Sequence, residues 1–364
     1  MTAKAVSGPA LIRSQATISD VARRAGVSTM TVSRVLNKAP RVSPATRDSV
    51  ERAIRDLNYV PNQAAKALSA SRNMRKIAFL FDTPNAAVLG EMVSAGFAES
   101  IQPDVQLLFI KANAGDDPLR ALATIKDLGI RGVILSPPLC DDVRLRLILN
   151  ESGARVVGIG CGDPDPTYST IGIDDTRAVY ELTSYLLKLG HRRIGLIAGH
   201  PRHQSSVRRR AGYEAALHDH DIEPDPSLQW EGDYTYGSAF GIAEQALALD
   251  PPLTAIFASN DDMAAAVLGV ARGRGVPVPR ALTVCGFDDS EVARMVTPQL
   301  TTVRQPVDAM ARWAVRQLTD ELDAQAQGQD APVRKVLLDP TIVYRGSDAP
   351  PPRAKKSGVV RDER

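Results

Sequence analysis

Residues 17–70 read TISDVARRAGVSTMTVSRVLNKAPRVSPATRDSVERAIRDLNYVPNQAAKALSA, and this stretch decides the fold at the amino end. Thr17 stands where a helix N-cap is wanted, with Asp20 three residues on, the pattern of a capping box. Val21, Ala22 and Ala25 follow as an apolar stripe at helical spacing. Gly26 comes next, where a left-handed C-terminal backbone costs a glycine little. Ser28 caps a second predicted helix, Thr29 to about Asn37, in which Val32, Val35 and Leu36 turn inward and Thr29, Met30, Ser33 and Arg34 outward. Ser43 as N-cap and Pro44 at the first helical position open a third, with Val50, Ala53, Ile54 and Leu57 on its core face. Two short helices joined by a tight glycine turn predict a helix-turn-helix, whose second helix reads base edges in the major groove of DNA.

Charge agrees with that reading. Residues 1–72 carry twelve Lys and Arg against four Asp and Glu, a net of +8, in a chain whose total is only +2. A basic head on an acidic body is the electrostatic footprint of a polyanion binder. The alternative is a solvated basic module that binds protein.

Working outward, residues 58–75 (NYVPNQAAKALSASRNMR) join this head to the rest. Asn62–Ala70 is helix-compatible but too short to hold in water alone. From Lys76 the pattern changes. The short apolar runs KIAFLF (76–81), VQLLFI (105–110), GVILS (132–136), RVVGIG (155–160), RIGLIAG (193–199), AIFAS (255–259) and LTVCGF (282–287) read as buried parallel strands. They alternate with candidate helices such as Thr176–Leu189, Ser205–His218, Tyr236–Leu249 and Asp262–Arg272. The expectation is an α/β, doubly wound body with room for two lobes. In such folds ligands sit at the carboxyl ends of the strands, so the default pocket lies between the lobes.

The run ISDVARRAGVSTMTVSRVLN, then VSPATRDSVERAIRDLNYVPNQAAKALSA, resembles the DNA-binding domain of the lactose-repressor (LacI) family. GIDD (172–175), LGHRRIGLIAG (189–199), RRRAGYEAAL (208–217), ASNDDMAAAVLGVARGRGVPVP (258–279) and CGFDDSEVARMVTPQLTTVRQP (285–306) extend the resemblance through the family's effector domain, built like periplasmic sugar-binding proteins, to about Gly346. For the head, the resemblance implies base reading by Thr29, Met30 and Arg34. Arg34 is the strongest candidate, because a guanidinium bonds guanine O6 and N7 bidentately. Thr31, Ser33 and Asn37 are expected on phosphates or the helix turn, and Thr17, Ser28 and Asn62 join them as DNA-contact candidates. The hinge is expected to order on DNA, pair with its twin and drive Leu68 into a minor-groove base step; the other reading is a plain flexible linker. Two recognition helices of a homodimer would then read a pseudo-palindromic operator.

For the body, the resemblance implies ligand contacts at Arg209, Tyr234, Asn260 and Asp288, and the chemistry suits a sugar. Arg offers donors, Asp acceptors and Asn both, while Tyr offers a ring face for stacking. Structural roles compete: Asp288 and Asn260 could cap helices, and Arg209 could be a surface residue. One departure is FDTPNAAVLGEM (81–92), which offers Asn85, Ala86, Ala87 and Val88 where many relatives place an aromatic. His200 and His203 are placed on a loop that could face the cleft, with Tyr168, Trp230 and Tyr236 as further aromatics.

The expected organisation is an extension over 1–16, the DNA-binding domain over 17–60, hinge and linker over 61–75, the two-lobed domain over 76–346 and a disordered Pro- and charge-rich tail over 347–364. Cys140, Cys161 and Cys285 show neither metal spacing nor pairing logic, which suits a reducing cytoplasm. His218 and His220 lack a completing ligand set. No secretory signal, membrane-length apolar run, phosphate loop or nucleophile elbow is evident, and no metal, cofactor or leucine-heptad tetramer is expected. The reading is a cytoplasmic DNA-binding transcriptional regulator, a repressor rather than an enzyme, controlled by a small sugar-like effector. The alternatives are a solute-binding protein or a cleft enzyme carrying a DNA-targeting head.

Overall fold

A computed structural model describes residues 16–36, 42–59, 74–83, 85–101, 104–162 and 167–352. The chain divides into two compact units, residues 1–74 and 75–364.

The first unit packs α1 (Ile18–Ala25), α2 (Thr29–Leu36) and α3 (Pro44–Asp56). The capping box forms as expected. The Thr17 hydroxyl accepts from the Asp20 amide while the Asp20 carboxylate accepts from the Thr17 amide. Gly26, at φ 69°, ends α1 and donates back to Ala22 and Arg23. Ser43 caps α3 through the Thr46 amide. Val21, Ala22, Val32, Val35, Val50 and Ala53 form the core.

The second unit holds two six-stranded sheets. The first is ordered β11-β5-β4-β3-β1-β2, with β1 Arg75–Phe81, β2 Val105–Lys111, β3 Gly132–Leu135, β4 Arg155–Ile159, β5 Ser169–Ile173 and β11 Lys335–Leu338. All its neighbours are parallel. The second is ordered β12-β10-β9-β8-β6-β7, with β6 Ile194–Ala198, β7 Gln229–Glu231, β8 Ala255–Ala258, β9 Thr283–Asp288, β10 Thr301–Arg304 and β12 Thr341–Val343. Only the β10–β12 pairing is antiparallel.

Around the first sheet lie α4 (Ala86–Glu99), α5 (Pro118–Asp127), α6 (Val143–Glu151) and α12 (Val307–Ala326); around the second lie α7 (Asp175–Leu189), α8 (Gln204–His218), α9 (Tyr236–Ala246), α10 (Asp261–Gly273) and the short α11 (Glu291–Met295). The chain therefore passes between the lobes three times: after β5, after β10 and between β11 and β12. Close packing of α7 on α8 requires Gly212, since a Cβ there would lie 2.2 Å from the Thr176 carbonyl.

The seven strands expected from apolar runs are present, and five more accompany them. The boundary expected at Gly346 falls too early. Ser347 is buried, donates to the Val284 carbonyl at 2.6 Å and accepts from the Thr301 amide at 2.8 Å. The Ala349 amide donates to Thr283 at 3.0 Å. Among the described residues, no helix is long and apolar enough to cross a membrane.

Candidate nucleic-acid face and ligand cleft

On α2, alternate burial follows the helical period. Val32 and Val35 are buried, Thr31 and Ser33 half-buried, and Thr29 and Arg34 exposed. Met30 is 65% exposed. Ser28 is spent locally, its oxygen accepting from the Thr31 amide at 3.2 Å. Thr17 is spent likewise on the α1 cap. Five of the DNA-contact candidates, Thr29, Met30, Thr31, Ser33 and Arg34, therefore share one helix. Asn37, Asn62 and Leu68 lie outside the described residues.

In the second unit the strand ends of the two lobes enclose a cleft with about 730 Å³ of space between protein atoms, open solvent at its mouth included, and such a concave site at the strand ends is where ligands are expected in this fold. The first lobe contributes an apolar wall of Val88, Met92, Ile159, Ile173 and Met310, edged by Thr83 and Ser136. The second contributes the polar groups: His203, Ser205, Arg209, Tyr234, Asp288 and Gln305.

Arg209 is buried, not a surface residue. It reaches the cleft from α8 with its guanidinium lying 3.6 Å from the centre of the Phe287 ring, a cation–π arrangement. Its Nε donates to Asp175 Oδ1 at 2.9 Å and its Nη1 to the Ser259 carbonyl at 2.5 Å. Neighbouring Arg208 donates Nη2 to the other Asp175 oxygen at 2.7 Å. A buried charge is tolerable when paired and hydrogen-bonded in this way.

Asp288 closes β9 at φ 110°, and Tyr234 sits at φ 70°. Both are left-handed conformations that non-glycine residues rarely adopt, and both fall on the cleft wall, where such strain gathers at functional sites. Asp288 accepts from Gln305 Nε2 at 2.5 Å and, across the cleft, from Asn85 Nδ2 at 2.9 Å. Burial raises its carboxyl to about 7, against the pull of Arg209. Asp261 behind it is raised to about 8 by burial and by Asp288. Tyr234 shares a hydroxyl contact with Ser205 at 3.2 Å and carries the His203 ring at 5.2 Å. Burial, then His200, holds His203 down to about 4, so it is neutral near pH 7.

Three of the four expected ligand contacts, Arg209, Tyr234 and Asp288, thus converge. Asn260 does not line the cleft. Its carbonyl caps α10 through the Met263 amide at 3.0 Å and its amide donates to the Tyr234 carbonyl at 2.8 Å. Its side chain is engaged in a cap and in a hold on the backbone of Tyr234, the cleft residue at positive φ. Of the two loop histidines, His203 faces the cleft and His200 stands behind it, 6.0 Å from it. Trp230 packs against the core of the second lobe, Tyr236 is 46% exposed, and Tyr168 lies under the first lobe beside two cysteines. Asn85, Asp175 and Gln305 were not singled out as ligand contacts. Each nevertheless lies in a quoted run: Asp175 in GIDD, Asn85 in FDTPNAAVLGEM and Gln305 in the run that ends VRQP. Among the described residues no group of three or more His, Cys, Asp or Glu is placed to hold a metal.

Comparison with known proteins places these features. The family model described as "Bacterial regulatory proteins, lacI family" matches residues 17–62, and that for a periplasmic binding protein-like domain matches 183–347. The HTH-type transcriptional regulator CelR of Thermobifida fusca is 35% identical over 332 residues, 89% of this chain and 96% of that protein. A lac repressor dimer bound to operator and an anti-inducer superposes with TM-score 0.75 at 28% identity, covering 92% of this chain and 99% of that one. A CelR–cellobiose complex superposes with TM-score 0.68 at 32% identity, covering 91% and 99%.

Proposed function

We propose, from the premise that this chain belongs to the LacI family and is a sequence-specific DNA-binding transcriptional regulator, that a carbohydrate in the cleft controls its hold on DNA. The observation that carries this reading is the pairing of Arg209 and Asp288 on one wall, opposite an apolar wall. Adjacent hydroxyls need a donor and an acceptor side by side, and the faces of a sugar ring carry C–H groups that pack on Val88, Ile159 and Met310. The Arg209 charge is already matched by Asp175, which suits an uncharged solute. The cellobiose held by a similar regulator supports the same class.

The chain acts as a homodimer on a pseudo-palindromic operator, in the cytoplasm, with Thr29, Met30 and Arg34 of each α2 reading bases. Leu68 in the hinge serves as a minor-groove wedge. It is read as a repressor. Effector and operator then change each other's affinity by one common factor, typically about 1–3 kcal/mol.

The test is a thermal-shift screen of monosaccharides, disaccharides and nucleobases, followed by footprinting with and without the hit. A carbohydrate that raises the unfolding midpoint with concentration and alters a symmetric footprint is the expected result. Stabilisation by nucleobases alone, or no symmetric protection, would overturn the reading.

A further inference from the structure

Away from the cleft's polar wall, two thiols that the sequence separates by a helix and a strand are brought together. Cys140 lies in the 3-10 turn Leu139–Asp141 after β3, and Cys161 follows the end of β4. Their carrier strands are neighbours in the sheet. Cys140 is fully buried and donates to the Ile159 carbonyl at 3.3 Å. The Cys161 sulfur fills the space over Gly158, 2.3 Å from where a Cβ would stand, so only glycine leaves it room. The two side chains are within hydrogen-bonding reach of each other. Both cysteines are reduced, Cys161 is partly exposed, and Cys285 is buried elsewhere.

A polar relay faces the pair. Arg146 Nη1 donates to the Tyr168 hydroxyl at 2.8 Å, with its guanidinium 5.4 Å from the ring centre. The Tyr168 hydroxyl has the Cys161 sulfur at 3.6 Å and the Cys140 carbonyl at 3.3 Å. The other charges acting on the thiols are Asp141, which opposes ionisation of both, and Arg208, which favours that of Cys140. The balance lowers the Cys161 thiol, chiefly through the Cys140 hydrogen bond and then Tyr168, and burial raises Cys140 and Cys285. Reactive cysteines are the partly exposed ones whose thiolate is stabilised.

We propose that Cys140 and Cys161 form a reversible intramolecular disulfide on exposure to hydroperoxides, Cys161 being oxidised first and Cys140 resolving it. In the first step the Cys161 thiolate attacks the distal peroxide oxygen. An S–O bond forms, the O–O bond breaks, and the leaving alkoxide or hydroxide takes a proton from solvent. In the second, the Cys140 sulfur attacks the sulfenic sulfur, the S–S bond forms, and the hydroxyl leaves with the Cys140 proton as water. The thiols lose two electrons and the peroxide gains them. The consequence reaches the cleft, because Gly160, next to Cys161, lines it and its carbonyl accepts from Arg208 at 3.3 Å. Tying the two strand ends together moves that wall.

The experiment treats the reduced full chain with graded hydrogen peroxide, blocks remaining thiols and maps peptides. The expected product has lost two hydrogens, joins the Cys140 and Cys161 peptides and reverts with dithiothreitol. Cys140→Ser accumulates a dimedone-reactive sulfenic acid at Cys161, Cys161→Ser stays reduced at the same dose, and Tyr168→Phe reacts about fivefold more slowly, the loss of one hydrogen bond. Cys285→Ser leaves the crosslink intact. Absence of the joined peptide, modification of Cys285 at doses that spare Cys161, or wild-type oxidation rates in Cys161→Ser each overturns the assignment.

Discussion

Asn85 and Asp288, 203 residues apart in sequence, meet across the cleft at 2.9 Å, the amide of one lobe donating to the carboxylate of the other. The same Asn85 side chain caps α4, its oxygen accepting from the amides of Ala87 and Val88 at 3.1 Å. One residue thus starts a helix of the first lobe and ties that lobe to the group most able to receive a hydroxyl. A solute that takes over the Asp288 oxygen must compete with Asn85, so the contact couples occupancy to lobe separation.

Asn85→Ser separates the two roles. Serine is a good N-cap but is too short to span to Asp288. Stability is expected to change by less than ~1 kcal/mol, because a net hydrogen bond is worth about that much. Effector affinity, measured by titration calorimetry, is expected to shift about fivefold or more, since Asp288 is freed. An unchanged affinity would show that the amide does not compete.

Acidity gives a second test. A carboxyl whose folded value exceeds its unfolded one binds its proton more tightly when folded. Its burial is cheapest at low pH, and stability falls as pH climbs from near 3.8 to the folded value. For Asp288 that window ends at about 7 and for Asp261 at about 8. His203 works oppositely, losing stability as pH falls from 6.5 to about 4, and His191, also lowered by burial, acts in the same direction below 6.5. Above 6.5 the lowered Cys161 thiol acts in the opposite direction to the carboxyls, and the two large carboxyl shifts set the sign. The unfolding midpoint of the effector-free chain is expected to rise by roughly 2–4 °C from pH 8 to 6.5, and Asp288→Asn to flatten that slope. A midpoint that rises toward pH 8 would contradict the sign.

How far the site was legible follows from these residues. Six of the seven apolar strands show in sequence because their central residues are buried on both faces, whereas β2, at the sheet edge, shows by its apolar run alone. β5 (STIGI) does not, because a buried strand can be polar when its groups are matched. Ser169 donates to Glu321 at 2.6 Å and accepts the Arg334 amide at 3.0 Å. Thr302 of β10 donates to Asp261 at 2.6 Å. Arg209, Tyr234 and Asp288 were readable through motif resemblance. Asn85 and Gln305 were not, since each acquires its role only when the chain recrosses between lobes. Asn260 stays ambiguous in sequence because a helix cap and a ligand fork ask for the same side chain, and here it makes the cap. Cys140 and Cys161 showed no pairing logic because only the β3–β4 register brings them together.

Arg209→Lys probes the pinned guanidinium. Lysine keeps the charge but cannot fork between Asp175 and the Ser259 carbonyl or lie flat on Phe287. Asp175 would retain Arg208, so the chain is expected to fold, at a cost of about 2–3 kcal/mol in urea denaturation. Effector-induced stabilisation is expected to vanish. A loss below about 0.5 kcal/mol would mean that Arg209 is held by packing rather than by its hydrogen bonds.

On α2, Thr29, Met30 and Arg34 are exposed, and of these proposed base readers Arg34 alone is charged, so it can act on DNA in two ways. A guanidinium that bonds guanine O6 and N7 discriminates; one that meets a phosphate only adds affinity. Arg34→Lys separates these, because an ammonium keeps the charge and loses the fork. If Arg34 reads a base, Arg34→Ala and Arg34→Lys both cost about 1–3 kcal/mol on the operator and little on random duplex. If it meets phosphate, lysine restores most of the binding, and alanine weakens both duplexes alike while lowering the salt dependence by about one counterion. Titrating both variants against operator and random duplex at two salt concentrations decides between them, with loss confined to the operator as the expected result.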